Sequence, residues 1–455
     1  MNTSRRMWFL ISITPLILAS GDPTSALAQA PIRIGLMQAF TGGEVYAVYA
    51  RQVKRGFHLG LEYATSGTQE LLGRAIEVIE EDDQLRPDLA KQKLTKLYAD
   101  DKVDLVVGTT SSAAAVGMLP VAARFKKVLI VEPAVDDRIT GSHWNRYVFR
   151  TARSFTQDAI ANALAVAKPG VSIATIARDD AFGRDGVAAY RMAAEMAGAK
   201  IVHEEYAPAR ATDFTAPIQH IIGALRDKPG AKYLFVMWAG KGGPFAQLAD
   251  NHLDKYGITL TADLYRAVSA IGGSDLLDGL KAMKSMNLAG MVGDAYYYHE
   301  IPKNPVNDWL VREHMKRFNE PPDFFAFGGF AAAMAVVAGI RKAGGTDSEK
   351  LVAAMEGLDF ESPKGTMTFR KEDHQALQPM YGFKMLSKSD VAWLIPTLTR
   401  ELTPQETAPP ITNKAAWLQS YRAGLRDLWH RSAVYLGKIL RGAHAASRFW
   451  EPTKF

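Results

Sequence analysis

Short apolar runs recur along the chain, each ending in a glycine-rich or acidic loop and each followed by a stretch of helical spacing. Residues 31–37 (PIRIGLM) read as a buried strand, because an unbroken apolar run of that length fits a sheet covered on both faces. A loop with Thr41, Gly42 and Gly43 follows, then helical spacing to about Tyr63. Strands are predicted at 75–79, 103–107 and 128–131, with a helix over 87–100 that places Leu89, Leu94 and Leu97 on one side. The rhythm restarts after Arg150, with strands at 171–177, 200–204, 233–237 and 258–261 and helices between them. Helices return at 307–318, 328–342 and 347–355. Alternating β and α segments imply parallel sheets covered by helices. Two such runs, split near residue 150, imply two doubly wound α/β lobes. Ligands of such sheets sit beyond the carboxyl ends of the strands. The loops at 39–49, 108–115, 132–140, 179–185 and 238–244 therefore carry the candidate site.

Composition changes this picture at the two ends. The first thirty residues read as a secretory signal peptide: Arg5 and Arg6, an apolar stretch over 7–19, and Ala26-Leu27-Ala28 or Ala28-Gln29-Ala30 as a cleavage site. The string SRRMWF is also a loose twin-arginine signal, and an uncleaved anchor is disfavoured by Pro15. Export to the periplasm is the expectation. The net charge of +6 belongs to the tail: of 54 basic and 48 acidic residues, eight and two lie in 414–455, leaving 46 of each in the body. Nothing in this neutral body suggests nucleic-acid binding, which needs a basic stripe. The tail reads as a basic amphipathic helix that fits an anionic membrane surface, or as an extension without a role.

The enzyme classes fare poorly. The chain has no cysteine, so thiolate metal sites, disulfides and a cysteine nucleophile are excluded. It lacks GxSxG, HExxH and GxxxxGK[ST], and no GxGxxG follows the first strand. The ten histidines are scattered. No catalytic residue, metal site or cofactor is expected.

Several strings, in order, carry a family resemblance: IRIGLMQAFTGG with the later Gly56, VDLVVGTTSSAAAVGMLPVA followed by VLIVEPAVDDRITG, and ATIARDDAFGRDG. ATDFTAPI, PPDFFAFGGFAAA and SPKGTMTFRKEDHQ support them. Over about residues 31–400 the chain resembles bacterial solute-binding proteins of the leucine/isoleucine/valine type, the periplasmic receptors of ATP-driven importers. The resemblance implies two doubly wound parallel-sheet lobes joined by a three-strand hinge. It places lobe 1 at 31–150 and 294–358 and lobe 2 at 151–293 and 359–413, with 414–455 outside the fold. It also implies a small carboxylate ligand, such as a branched-chain or other hydrophobic amino acid, and a membrane permease as partner. An aryl or other non-amino acid, or a sensing role, is the alternative.

The candidate ligand residues follow. After Gly108 come Thr109, Thr110, Ser111 and Ser112 at the start of a predicted helix, where hydroxyls and orphan N–H groups favour a carboxylate. The resemblance assigns the carboxylate to Ser112; helix capping by Ser111 or Ser112 is the plainer alternative. The second clamp falls at Ala134, Val135 and Asp136, where Asp136 is a departure, since a carboxylate there repels a ligand carboxylate unless it points away. Tyr49 matches a wall tyrosine and is equally an amphipathic core residue. Phe182 stands where amino-acid binders commonly have tyrosine. Trp238 follows a strand at its loop end and serves either cleft or core. Asp263 in LTADLY aligns with an acidic counter-charge for a ligand ammonium, or is a surface or capping aspartate. Tyr296, Tyr297 and Phe325 complete an aromatic inventory near the cleft.

Overall fold

The computed structural model describes residues 29–413 apart from residue 274. Most of the expected signal peptide and the basic tail lie outside the described residues.

Between Ile32 and Arg150 the chain lays down β1 (Ile32–Gln38), α1 (Glu44–Ala64), β2 (Glu70–Leu71), β3 (Arg74–Asp82), α2 (Pro87–Ala99), β4 (Leu105–Gly108), α3 (Ser112–Phe125), β5 (Val128–Val131) and β6 (Val148–Arg150). The six strands form one sheet in the order β2-β3-β1-β4-β5-β6. All pairings are parallel except the short β2–β3 edge. Every residue of β4, β5 and β6 is buried, as the apolar runs require. β1 sits where the winding reverses, between β3 and β4, so the crevice of this sheet opens beside the carboxyl ends of β1 and β4. The acidic run expected to end a strand at residue 80 continues it to Asp82. Glu81 is 9% exposed there because Lys93 (2.7 Å) and Lys96 (2.8 Å) neutralise it.

The second lobe repeats the scheme with α4 (Phe155–Val166), β7 (Ser172–Arg178), α5 (Ala181–Met196), β8 (Lys200–Ala207), α6 (Thr215–Leu225), β9 (Lys232–Met237), α7 (Phe245–Asp250), β10 (Ile258–Thr261), α8 (Leu264–Ile271), α9 (Leu276–Ser285) and β11 (Val292–Ala295). The chain then forms α10 (Pro305–Phe318), α11 (Phe324–Ala343), α12 (Ser348–Met355) and a small sheet of β12 (Asp359–Ser362), β13 (Gly365–Phe369) and β14 (Ala376–Leu377). It ends with β15 (Met380–Leu386) and β16 (Ile395–Leu402). The second large sheet runs β16-β15-β11-β10-β9-β7-β8, with β15 and β16 antiparallel at one edge.

Two lobe boundaries differ from the expectation. Asp294 and Ala295 still belong to the second sheet, paired with Gly382 and Tyr381, so the chain leaves that lobe after residue 295. The segment expected to rejoin lobe 2 at residue 359 instead packs on lobe 1. Phe360, Met367 and Phe369 share a core with Ile34, Val107 and Ile130, and Gln375 bridges to Arg150. The antiparallel hairpin of β12 and β13 has an apolar face of its own to bury, and periodicity alone does not say against which lobe. The α11 helix is apolar enough to span a bilayer but is 83% buried, because it lies across α1 and α12 in the lobe 1 core.

Candidate functional site

The serines after β4 divide their work. Ser111 is the N-cap of α3, its Oγ accepting the Ala114 N–H at 3.3 Å. Ser112 begins the helix, and its Oγ accepts the Val135 N–H at 3.3 Å, tying the loop after β4 to the loop after β5. The two threonines before them are sealed in: Thr110 donates to Gln38 Oε1 at 2.7 Å and Thr109 to Asp83. Of the four hydroxyls, those of Ser111 and Ser112 are the half-buried ones.

In the loop after β5, Ala134 is buried and the Val135 carbonyl accepts the Phe155 N–H at 2.9 Å, across to the second lobe. Asp136 caps a single 3-10 turn over Asp137–Ile139. Its Oδ1 takes the Arg138 backbone N–H (2.8 Å) and Nε (3.0 Å), and its Oδ2 takes the other arm of the guanidinium. Burial alone pushes this carboxyl up, but the Arg138 hydrogen bonds outweigh it and hold Asp136 below the usual range. The expected repulsion is therefore cancelled: Asp136 keeps its charge and points it at Arg138. Asp137 reaches across as well, accepting Thr156 N–H at 3.2 Å and Thr156 Oγ1 at 2.8 Å.

Phe182 stands opposite on α5, whose N-cap Asp180 accepts the Gly183 N–H at 3.1 Å. Its ring meets Phe155 edge-on at 5.1 Å. Ser112 and Asp136 from one lobe and Phe155, Phe182, Asp185 and Ala189 from the other enclose a cavity of about 450 Å3. Tyr49 lies elsewhere on the lobe 1 wall, stacked on Phe325 at 4.0 Å; burial pushes its hydroxyl up to about 12 despite the Ser269 hydroxyl beside it. Tyr297 is sealed in the lobe 1 core, stacked on Phe327 at 4.8 Å. Trp238 is a correction. At 1% exposure it packs edge-on against Phe214 (5.2 Å) in the core of lobe 2, so the strand end buries the indole beneath the surface instead of presenting it to the cleft.

Asp263 is both buried and a cap: Oδ1 accepts the Arg266 N–H at 2.8 Å at the start of α8, while Oδ2 is buried with no hydrogen-bond partner among the described residues. It belongs to a buried trio with Asp158 and Asp294 whose oxygens come within 4.8 Å of one another. Two guanidiniums serve this trio. Arg153 Nε approaches Asp158 at 3.2 and 3.3 Å, and Arg266 reaches its Oδ2 at 2.8 Å. Burial first, then the charges of Asp263 and Asp158, push the Asp294 carboxyl well above its ordinary range, and its Oδ1 accepts from Asn162 at 2.8 Å. Sequence reasoning missed Arg153, Asp158, Arg266 and Asp294. The one available signal was the charge left in RTARSFTQD, where the chain crosses between lobes.

Two open α/β lobes, facing each other through strand-end loops and bridged by the chain in more than one place, define a solute-trapping protein. Residues 31–390 match the periplasmic binding protein family, and the chain belongs to it. It is a solute-binding receptor of an ABC transporter, a class that works outside the cytoplasmic membrane and serves transport. Among curated relatives, Leu/Ile/Val-binding protein homolog 6 of Brucella abortus is 23% identical over 84% of this chain and 93% of its own length. A crystal structure of an ABC-type branched-chain amino acid transporter from Rhodopseudomonas palustris is 54% identical, with a TM-score of 0.79, covering 84% of this chain and all of that one. A solute-binding protein of Rhodopseudomonas palustris solved with 3,4-dihydroxybenzoic acid is 27% identical, with a TM-score of 0.64, over 82% of this chain and 98% of that one.

Proposed function

We propose that the protein traps a small hydrophobic carboxylate between its lobes and delivers it to the permease of an ATP-driven importer. The observation that carries this reading is the inter-lobe cavity at Ser112. The Ser112 hydroxyl accepts the Val135 N–H, which leaves its own proton to donate. The first N–H groups of α3 precede any intrahelical acceptor, and the helix dipole adds to them. An anion seated there meets donors from lobe 1, while Phe182 and Phe155 cover its apolar body from lobe 2. Ligand contact with both lobes selects the closed arrangement, with no bond made or broken.

The relatives named for branched-chain amino acids support leucine-like ligands. A second reading, an aryl or other non-amino acid, is favoured by the Phe155 and Phe182 rings on the cavity, which meet edge-on, and by the relative bound to 3,4-dihydroxybenzoic acid. Isothermal titration of the purified protein with leucine, isoleucine, phenylalanine and 3,4-dihydroxybenzoate tests the proposal. Saturable one-to-one binding of a member of this set supports it, and heat without saturation for all of them, or turnover of any, overturns it.

A further inference from the structure

The segment at residues 403–413 leaves one lobe and docks on the other. β16 carries it out of the second sheet, where Glu401 pairs with Tyr381 and Leu402 with Met380. Its start is held on lobe 2 by Arg400, which donates to the Leu164 carbonyl of α4 at 3.3 Å and to Glu406. Glu406 also takes the Thr403 N–H at 2.8 Å and the Thr403 hydroxyl at 2.9 Å, closing a turn that Thr407 completes. Beyond the turn the chain meets the loop after β13, on lobe 1. Arg370 donates to the Pro409 carbonyl at 2.8 Å, and the Asn413 side-chain amide donates to the Glu372 carbonyl at 2.6 Å. Thr412 lies so close to Gly141 that a Cβ there would sit 2.6 Å from the Thr412 hydroxyl. Pro409 and Asn413 are buried.

This is a further passage between the lobes, beside those after β6, after β11 and between β14 and β15. Where those run from sheet to sheet, this one is fastened to lobe 1 by hydrogen bonds from side chains. Pro409 and Pro410 line a second cavity of about 430 Å3, with Asp137 and Thr140 from lobe 1 and Ala189 and Met192 from α5 of lobe 2. Asp137 and Ala189 also line the cavity at Ser112, so the two spaces adjoin. Opening the cleft moves α5 away from the Asp137 turn and β16 away from Arg370 and Glu372. The link must then extend, or the segment must peel off lobe 1. Glu406 opposes extension by locking the turn. The paired prolines oppose peeling, because a released chain with two fixed φ angles regains little backbone freedom.

We propose that residues 403–413 are a strap that holds the lobes together beside the ligand cavity, so that affinity depends on a segment outside that cavity. The link to affinity rests on the reading of the cleft as a ligand trap; the hold on the lobes does not. Two full-length variants test it. Pro409→Gly with Pro410→Gly keeps the docking contacts but frees the released chain, and Glu406→Ala with Asn413→Ala removes the turn lock and one lobe 1 contact. Both are read by small-angle X-ray scattering without ligand and by titration with the acids named above. Each variant is expected to show a larger radius of gyration than the wild type when ligand-free. The glycine pair should weaken the best-bound acid about threefold or more. The alanine pair should weaken it about tenfold, since ligand binding must then restore the closed arrangement. An unchanged radius of gyration in both variants overturns the strap, with or without a loss of affinity. Expansion with unchanged affinity overturns its coupling to the ligand. Should either variant fail to fold, the other, or Asn413→Ala alone, decides. If no acid binds the wild type, the ligand-trap reading fails on its own, and scattering alone decides whether the strap holds the lobes.

Discussion

Ser111 and Ser112 are chemically identical neighbours with different duties, set by which backbone N–H each oxygen meets. Ser111→Ala removes an N-cap and is expected to cost about 1 kcal/mol in thermal or urea unfolding while leaving ligand affinity within a few-fold. Ser112→Ala is expected to reverse that order, weakening a carboxylate ligand about tenfold or more by calorimetry with a smaller loss of stability. Glu132 gives a pH signature. Burial pushes its carboxyl from the ordinary 4.5 up to about 7, against the pull of the Thr151 hydroxyl and of Arg153, Lys364 and Arg150. A group whose folded pKa is raised binds its proton more tightly in the folded state. Stability from this residue is thus full below about pH 4.5 and declines as pH rises towards 7, by up to about 3 kcal/mol. In Glu132→Gln, urea titrations at pH 5 and pH 7.5 should show that part of the slope gone. An unchanged slope would place the proton elsewhere.

At the scale of elements, the contact of α1 with α11 positions both Tyr49 and Phe325. The helices approach backbone to backbone: a Cβ at Gly56 would lie 1.8 Å from the Ala326 carbonyl oxygen, and one at Gly329 would lie 2.1 Å from the Val53 carbonyl oxygen. Relief requires moving a helix, not a side chain, so Gly56→Ala is expected to cost about 3 kcal/mol of stability, read as a lower unfolding midpoint. The helix and parallel-strand assignments were legible because each buries an apolar face with its own period. Their edges were less so. The hairpin of β12 and β13 and the antiparallel pair β15–β16 carry mixed patterns, and which sheet or core they join is decided by long-range partners.

For the whole molecule, the lobes meet through Phe155 N–H to Val135 O at 2.9 Å and Phe324 N–H to the Tyr265 hydroxyl at 2.9 Å, contacts to which a ligand held between the lobes would add. A ligand at a hundredfold excess over Kd should stabilise the protein by about 2.7 kcal/mol, seen as a dose-dependent rise in unfolding temperature. Deleting residues 414–455 should leave that rise unchanged; its loss would tie the basic tail to a lobe. Local patterning was enough to set out two α/β lobes, the strand ends that face the cleft, and Ser112 at a helix start, because periodicity and helix-terminus chemistry act over a few neighbouring residues. The structure alone decided that Trp238 is core, that Asp136 is neutralised by Arg138, and that Asp263 shares its surroundings with Asp158, Asp294, Arg153 and Arg266. Apart from the Asp136–Arg138 pair, which is a local contact whose direction only the coordinates give, those facts depend on groups up to 141 residues apart in the chain (Arg153 to Asp294) brought together in a low-dielectric interior, where pairing and burial set charge and which no local pattern encodes.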